Sequence, residues 1–328
     1  MDNFKALLLT KNDDGQSADW VEMGVDDLMD GDVDIRVSHS TINYKDGLAV
    51  TGKAPIARRY PLIPGIDLAG VVERSDHPDY KSGDEVLITG REIGESHYGG
   101  YAQMARVSGD WIVPKPPSMS RAQTMAVGTA GFTAMLCVMT LEEQGVMPDQ
   151  GPILVTGAAG GVGSVSIALL DKLGYEVHAS TGRPEEGDYL KGLGATAIVD
   201  RNTLSERGKP LGPEIWAGVV DTVGSHTLAN AIAQTKFDGA VAACGLAQGA
   251  DLKMTVMPFI LRNVTLAGVN SGPIPMARRL EGWRRLGEDL DLGKLDAMTE
   301  THKLSEIFEL AEEITNGRVR GRMVIEVS

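Results

Sequence analysis

The chain has 328 residues, 42% of them hydrophobic and 40 of them glycine, which supports two globular domains with well-formed cores and excludes a small module, a fibrous repeat or a disordered chain. Its formal net charge of −14 repels phosphate backbones and anionic lipid, so no nucleic-acid or membrane partner is expected, and an anionic substrate would need basic residues gathered at its site. Its two cysteines, Cys137 and Cys244, lie in apolar or glycine-rich runs and can assemble neither a disulfide framework nor a thiolate metal cluster.

The opening run Met1-Asp2-Asn3-Phe4-Lys5 lacks the charged start, long apolar core and cleavage site of a signal peptide, so a cytoplasmic location is expected. From Phe4 to about Pro114, short β-rich runs alternate with Gly, Pro and Asp clusters. Phe4–Leu9, Asp34–Ser38, Gly70–Glu73, Glu85–Thr89 and Trp111–Val113 read as strands of a mostly β domain. Lys115-Pro116-Pro117 breaks regular structure, and Ser120 is placed to cap a following helix. The uncharged run Ala122–Leu141 contains Gly128 and Gly131, which favours a buried helix over a membrane span.

Beyond this helix, apolar strands alternate with helical segments. Ile153–Thr156, Glu176–Ser180, Ala197–Val199, Gly218–Asp221, Ala240–Ala243 and Val264–Gly268 are expected strands. Helices are expected up to about Leu173 and over Glu186–Leu193, giving the α/β pattern of a doubly wound parallel sheet. A last helix, Leu304–Gly317, is stopped by Asn316-Gly317 and followed by the strand Arg322–Val327. Sequence order alone does not say which sheet receives that strand.

Directly after the first of these strands the chain reads Gly157-Ala158-Ala159-Gly160-Gly161-Val162-Gly163 and then enters a helix. This is a dinucleotide fingerprint with Ala158 in place of its first glycine, Gly160 where the backbone must approach the pyrophosphate and Gly163 where helix and strand pack closely. The helix start offers unpaired N–H groups to phosphate. At the end of the second strand stand Ser180, Thr181, Gly182 and Arg183, with no acid to bind a ribose 2′-hydroxyl. Two hydroxyls and a guanidinium suit the 2′-phosphate of NADPH instead.

A nucleotide domain following a β-rich domain resembles the medium-chain dehydrogenase/reductase superfamily over essentially the whole chain. Where zinc enzymes of that superfamily carry a cysteine and a Gly-His-Glu segment, this chain has Asn43-Tyr44-Lys45-Asp46 and Gly65-Ile66-Asp67, so no metal is expected. The runs Asn43–Gly47, Pro64–Gly70, Gly128–Met135, Trp216–Gly224, Ala242–Ala247 and Met257–Val264 are similar to the quinone-oxidoreductase-like branch and, more narrowly, to its acrylyl-CoA reductase subfamily. The resemblance implies a GroES-like catalytic domain over 1–120 with 295–328, and a Rossmann domain over 121–294.

It further implies NADPH-dependent reduction of acrylyl-CoA to propionyl-CoA without metal, with quinones or free α,β-unsaturated carbonyls as the alternative substrates. Asn43, Tyr44 and Asp46 would shape the active site. Tyr44, Ala159, Gly160, Gly161, Val162, Gly163, Ser180, Thr181, Gly182, Arg183, Arg201, Leu246, Ile260, Ser271 and Asn316 would line the cofactor. Lys53, Arg58 and Arg59 are candidate cations for a CoA thioester, and Val264–Ser271 could pair with its mate in a homodimer.

Overall fold

The computed structural model describes residues 3–13 and 15–327. Its contacts divide the chain into two compact units, one of Met1–Thr129, Gly272–Gly287 and Thr299–Ser328, the other of Ala130–Ser271 and Glu288–Met298.

The first unit is mostly β. Asn3–Asn12 pairs antiparallel with Gly15–Gly24. A seven-stranded sheet runs in the order Thr299–Lys303, Arg322–Glu326, Val33–Thr41, Asp67–Ser75, Glu85–Thr89 and Val113–Pro114, with Met104–Val107 also paired to Val33–Thr41. Alternation of side chains sends Val33, Ile35 and Val37 inward, where they meet Leu62, Leu68, Ile88, Tyr101 and Ile325 in one core. The C-terminal strand joins this sheet, Val324 standing opposite Thr41, which settles what sequence order left open. Trp111, expected in a strand, instead ends the short 3₁₀ turn Gly109–Trp111.

Residues 272–287 belong to this unit, although the sequence places them inside the nucleotide domain. Arg279 is fully buried and donates to Thr89 O, Thr89 Oγ1 and Gly272 O at 2.8, 3.0 and 2.8 Å. Trp283 is buried on the same Met276–Asp289 helix. Burying an arginine requires that its donors find carbonyls, and those carbonyls lie in this unit.

The second unit carries six parallel strands in the order Ala197–Asp200, Val177–Thr181, Ile153–Val155, Trp216–Asp221, Thr235–Ala243 and Thr265–Gly268. Numbered within the sheet this is 3-2-1-4-5-6, the doubly wound order whose ligand crevice opens at the carboxyl ends of the strands where the order reverses. The central strands Ile153–Val155 and Trp216–Asp221 are buried along their whole length, as expected of a parallel sheet covered on both faces. Helix Gly161–Lys172 covers the sheet with Val165, Ile167, Leu169 and Leu170.

The helix Arg121–Glu143 begins with Ser120, the cap expected there, and Gln123 exchanging side-chain to backbone hydrogen bonds at 3.0 and 3.1 Å. It is long and apolar enough to cross a membrane, but 89% of its most apolar stretch is buried within the protein. Gly128 interrupts it at φ 51° and ψ −161°.

Candidate active site

In the second unit the fingerprint forms a tight turn between strand and helix. Gly157 takes φ +59°, and Gly160 N–H donates to Gly157 O at 2.9 Å. Ala158, at the position usually held by glycine, does not take a positive φ; it is buried, and its N–H donates to Ser180 O at 3.1 Å. A methyl is therefore accommodated where backbone freedom is not required. Gly163 has no such latitude, because a Cβ there would lie 2.4 Å from Gly157 O and 2.7 Å from Ala158 Cα. No side chain caps the helix at Gly160, so its first turn offers main-chain donors and the positive end of the helix dipole.

At the end of the neighbouring strand, Ser180 and Thr181 are buried, and Thr181 Oγ1 accepts from Arg183 N–H at 3.1 Å. Arg183 stands 3.7 Å from Glu186. Arg201, in the turn after the third strand, lies against Gly182, where a Cβ would fall 2.3 Å from its Cζ. Arg201 is exposed and forms no ion pair among the described residues. No acid stands at the strand end itself, Glu186 lying beyond it against Arg183, and the hydroxyls and guanidinium groups suit a phosphate monoester on a ribose.

In the first unit the Asn43–Asp46 segment opens the helix Tyr44–Thr51. Asp46 Oδ2 accepts from the backbone N–H of Asn43 at 2.8 Å and from its amide at 3.0 Å, while Asp46 Oδ1 accepts from Ile66 N–H at 2.9 Å. The Asn43 amide nitrogen also donates to Asp67 Oδ2 at 2.8 Å, and Asn43 Oδ1 accepts from Arg322 at 3.4 Å. Asp67 receives two further bonds, from the backbone and hydroxyl of Thr129. Arg322 donates to Ala126 O at 2.6 Å and to Thr41 Oγ1 at 2.9 Å.

Asn43, Asp46, Asp67 and Arg322 are all buried. Gly128 is what lets them converge: a Cβ there would lie 2.8 Å from both Arg322 and Asp67 Oδ2, and its left-handed φ would strain any other residue.

Burial, then the neighbouring charge of Asp67, pushes the Asp46 carboxyl up to about 7, against the bonds it accepts from Asn43 and Ile66. Burial raises Asp67 also, opposed by its bonds from Thr129 and Asn43 and by the Arg322 charge. A proton kept on Asp46 leaves one carboxylate near one guanidinium, the arrangement that buries least net charge. Tyr44, the residue between these buried groups in sequence, is 57% exposed. Among the described residues no three His, Cys, Asp or Glu side chains gather as a metal-binding group.

The model of the alcohol dehydrogenase GroES-like domain matches residues 29–117, and that of the zinc-binding dehydrogenase domain matches residues 161–283. The acrylyl-CoA reductase AcuI of Ruegeria pomeroyi is 50% identical over 328 residues, covering 99% of this chain and 99% of its own. The chain belongs to the acrylyl-CoA reductase family of medium-chain dehydrogenases/reductases. Among solved structures, Escherichia coli YhdH with bound NADPH is 49% identical with a TM-score of 0.95, covering 98% of this chain and 100% of that one. Bacillus subtilis YhfP, named a putative quinone oxidoreductase, is 42% identical over 99% of both chains, and its structure with NAD bound has a TM-score of 0.96.

Within this reductase-family chain the sheet brings Ala159–Gly163, Ser180–Arg183 and Arg201 to the carboxyl ends of the first three strands of the nucleotide unit. Leu246 follows the fifth strand and is exposed. Ser271 follows the sixth, its hydroxyl bonded by Thr133 at 2.9 Å. Ile260 sits exposed on the short helix Met257–Arg262 that precedes the sixth strand. Tyr44 and Asn316, the latter capping the C-terminus of helix Ile307–Thr315, belong to the first unit.

Sequence reasoning gave no role to Asp67, Thr129 or Arg322. The available signals were the acid in Pro64-Gly65-Ile66-Asp67 and an arginine heading the apolar run 323–325 of the strand Arg322–Glu326.

Proposed function

We propose that this chain reduces the activated double bond of acrylyl-CoA to propionyl-CoA, with NADPH as hydride donor. The observation that carries the reading is the 50% identity to an acrylyl-CoA reductase over 99% of both chains. The nucleotide unit fits the cofactor. Ala159, Gly160, Gly161, Val162 and Gly163 would hold the pyrophosphate through main-chain donors, and Ser180, Thr181, Gly182, Arg183 and Arg201 would hold the 2′-phosphate. Tyr44, Leu246, Ile260, Ser271 and Asn316 would complete its lining.

NADPH, when bound, supplies the hydride that the β carbon of the thioester takes up. The α carbon then takes a proton, and negative charge that develops on the thioester oxygen needs a donor. Tyr44, with its exposed phenol at the first helical position, is the neutral donor this segment offers. Asn43 and Asp46 have their polar atoms committed to one another, to Asp67, Ile66 and Arg322. Their contribution is to fix the helix start from which Tyr44 projects.

The same reading makes the chain a cytoplasmic homodimer. Thr265–Gly268 is an edge strand of the six-stranded sheet, and exposed Val256, Met257, Ile260 and Leu261 precede it. An unpaired edge beside apolar surface supports pairing with a second copy.

The test follows NADPH consumption by the purified protein with acrylyl-CoA and identifies the product, with NADH and a quinone as comparators. Propionyl-CoA formed faster with NADPH than with NADH is the expected result. Quinone reduction exceeding thioester reduction would replace the substrate assignment with the one suggested by YhfP.

A further inference from the structure

A CoA thioester brings several phosphate charges to a protein whose net charge is −14, so local cations must overcome the general repulsion. In the first unit, Glu95 provides the means. Its carboxylate is 14% exposed and holds Lys45 Nζ at 2.7 Å on one oxygen and Arg58 at 3.0 Å on the other. The backbone of Glu95 is fixed too, its carbonyl accepting from Arg58 N–H at 2.7 Å and its N–H donating to Glu92 O at 3.0 Å.

One nearly buried carboxylate thus sets two cations side by side while their other donors stay open to solvent, with side-chain exposures of 46% and 64%. Arg59, also exposed, follows in sequence. Lys45 is the residue next to Tyr44, so the pair is tied to the segment that opens the Tyr44–Thr51 helix. Lys53, the other cation the sequence suggests, points elsewhere, bonding Glu312 and Thr315 at 2.6 and 2.8 Å.

We infer that Lys45 and Arg58, preorganised by Glu95, form the subsite that grips a phosphate group of the CoA moiety. This rests on the thioester reading above and adds to it the residues that distinguish a CoA ester from a short one. Two charges against one leave the group net positive, and fixing the cations beforehand lowers the ordering cost that flexible surface lysines and arginines carry. Both substitutions below fall on exposed side chains, and urea unfolding of the variant checks that the fold is retained once Glu95 has lost its partners.

The experiment compares the wild type with Lys45→Ala/Arg58→Ala. It measures kcat/KM for acrylyl-CoA and for the acrylyl thioester of N-acetylcysteamine, which lacks phosphates, and the Kd of free CoA by calorimetry. Arg36→Ala, which removes an exposed cation paired with Glu73, controls for overall charge. The expected result is a fall of about tenfold or more in the ratio of the two kcat/KM values, a matching weakening of CoA binding and attenuation of the difference by salt. A CoA Kd and a substrate ratio equal to the wild type's would overturn the subsite and leave the thioester reading standing. Should the wild type reduce neither thioester, the reductase reading fails, and the CoA Kd comparison still decides whether these cations bind phosphate.

Discussion

In the nucleotide unit the groups offered to a ligand are main-chain N–H groups at the start of the Gly161–Lys172 helix and the exposed guanidinium of Arg201. In the β-rich unit Asn43, Asp46, Asp67 and Arg322 are buried and bonded to one another, and the group left facing outward is Tyr44. The first arrangement is set by backbone geometry over a few consecutive residues, so it tolerates Ala158 but not a side chain at Gly163. The second is set by side chains from three separate segments, so loss of one leaves the others buried without their partners.

The widest gap between the two should come from Asp67→Ala. It removes the acceptor of bonds from Asn43 and Thr129 and leaves Arg322 in an interior short of negative charge. A loss of about 3–5 kcal/mol is expected in urea unfolding, with activity lost even where folded protein remains. A cost below about 1 kcal/mol would show that the cluster is not the rigid element inferred here. Gly163→Ala probes the other arrangement, forcing a Cβ against the Gly157–Ala158 backbone. Overpacking should cost about 3 kcal/mol, and NADPH fluorescence titration should show weakened binding. Wild-type affinity in that variant would mean that the turn can relax.

Arg201→Ala leaves the turn intact and removes a single donor group. NADPH binding should weaken by about 2 kcal/mol, roughly thirtyfold, while NADH binding changes little. Equal losses for both cofactors would move Arg201 away from the 2′-phosphate.

The smallest effect per step is a pH slope. The folded-state pKa of Asp46 is raised to about 7 by burial and by Asp67, so the native state holds a proton that the unfolded chain releases near 4. The stabilisation this proton provides is complete below the unfolded pKa and is lost as pH rises through the folded value. Its slope is at most about 1.4 kcal/mol per pH unit over that window. Urea unfolding at pH 5 and pH 8 should show the decline, and Asp46→Asn should flatten it. An unchanged slope in the variant would assign the decline to other groups.

The strand–turn–helix that carries the glycine fingerprint was legible because its signals are short and consecutive. A strand, a glycine turn and a helix follow one another within Ile153–Lys172, and the missing acid at Ser180–Arg183 lies one βα unit further on. The polar cluster was only half legible. Asn43 and Asp46 stand three residues apart and mark a helix start, but Asp67 lies 24 residues beyond Asn43 and Arg322 a further 255, with no periodicity joining them. Among the cations the sequence could not say which share a partner: Lys45 and Lys53 look equivalent beside Arg58 until one finds Glu95 and the other finds Glu312.

The sequence by itself determined the alternation of strand and helix, the parallel sheet and the glycine turn between the first strand and its helix, because each rests on contacts within a few residues. Only the tertiary structure decided that the last strand and residues 272–287 join the β-rich unit, that Asp46 is buried beside a second acid, and that Glu95 aligns Lys45 with Arg58. Those outcomes depend on which distant side chains share a low-dielectric interior or a common hydrogen-bond partner. Burial and charge pairing of that kind are fixed by the folded topology rather than by any local pattern of residues.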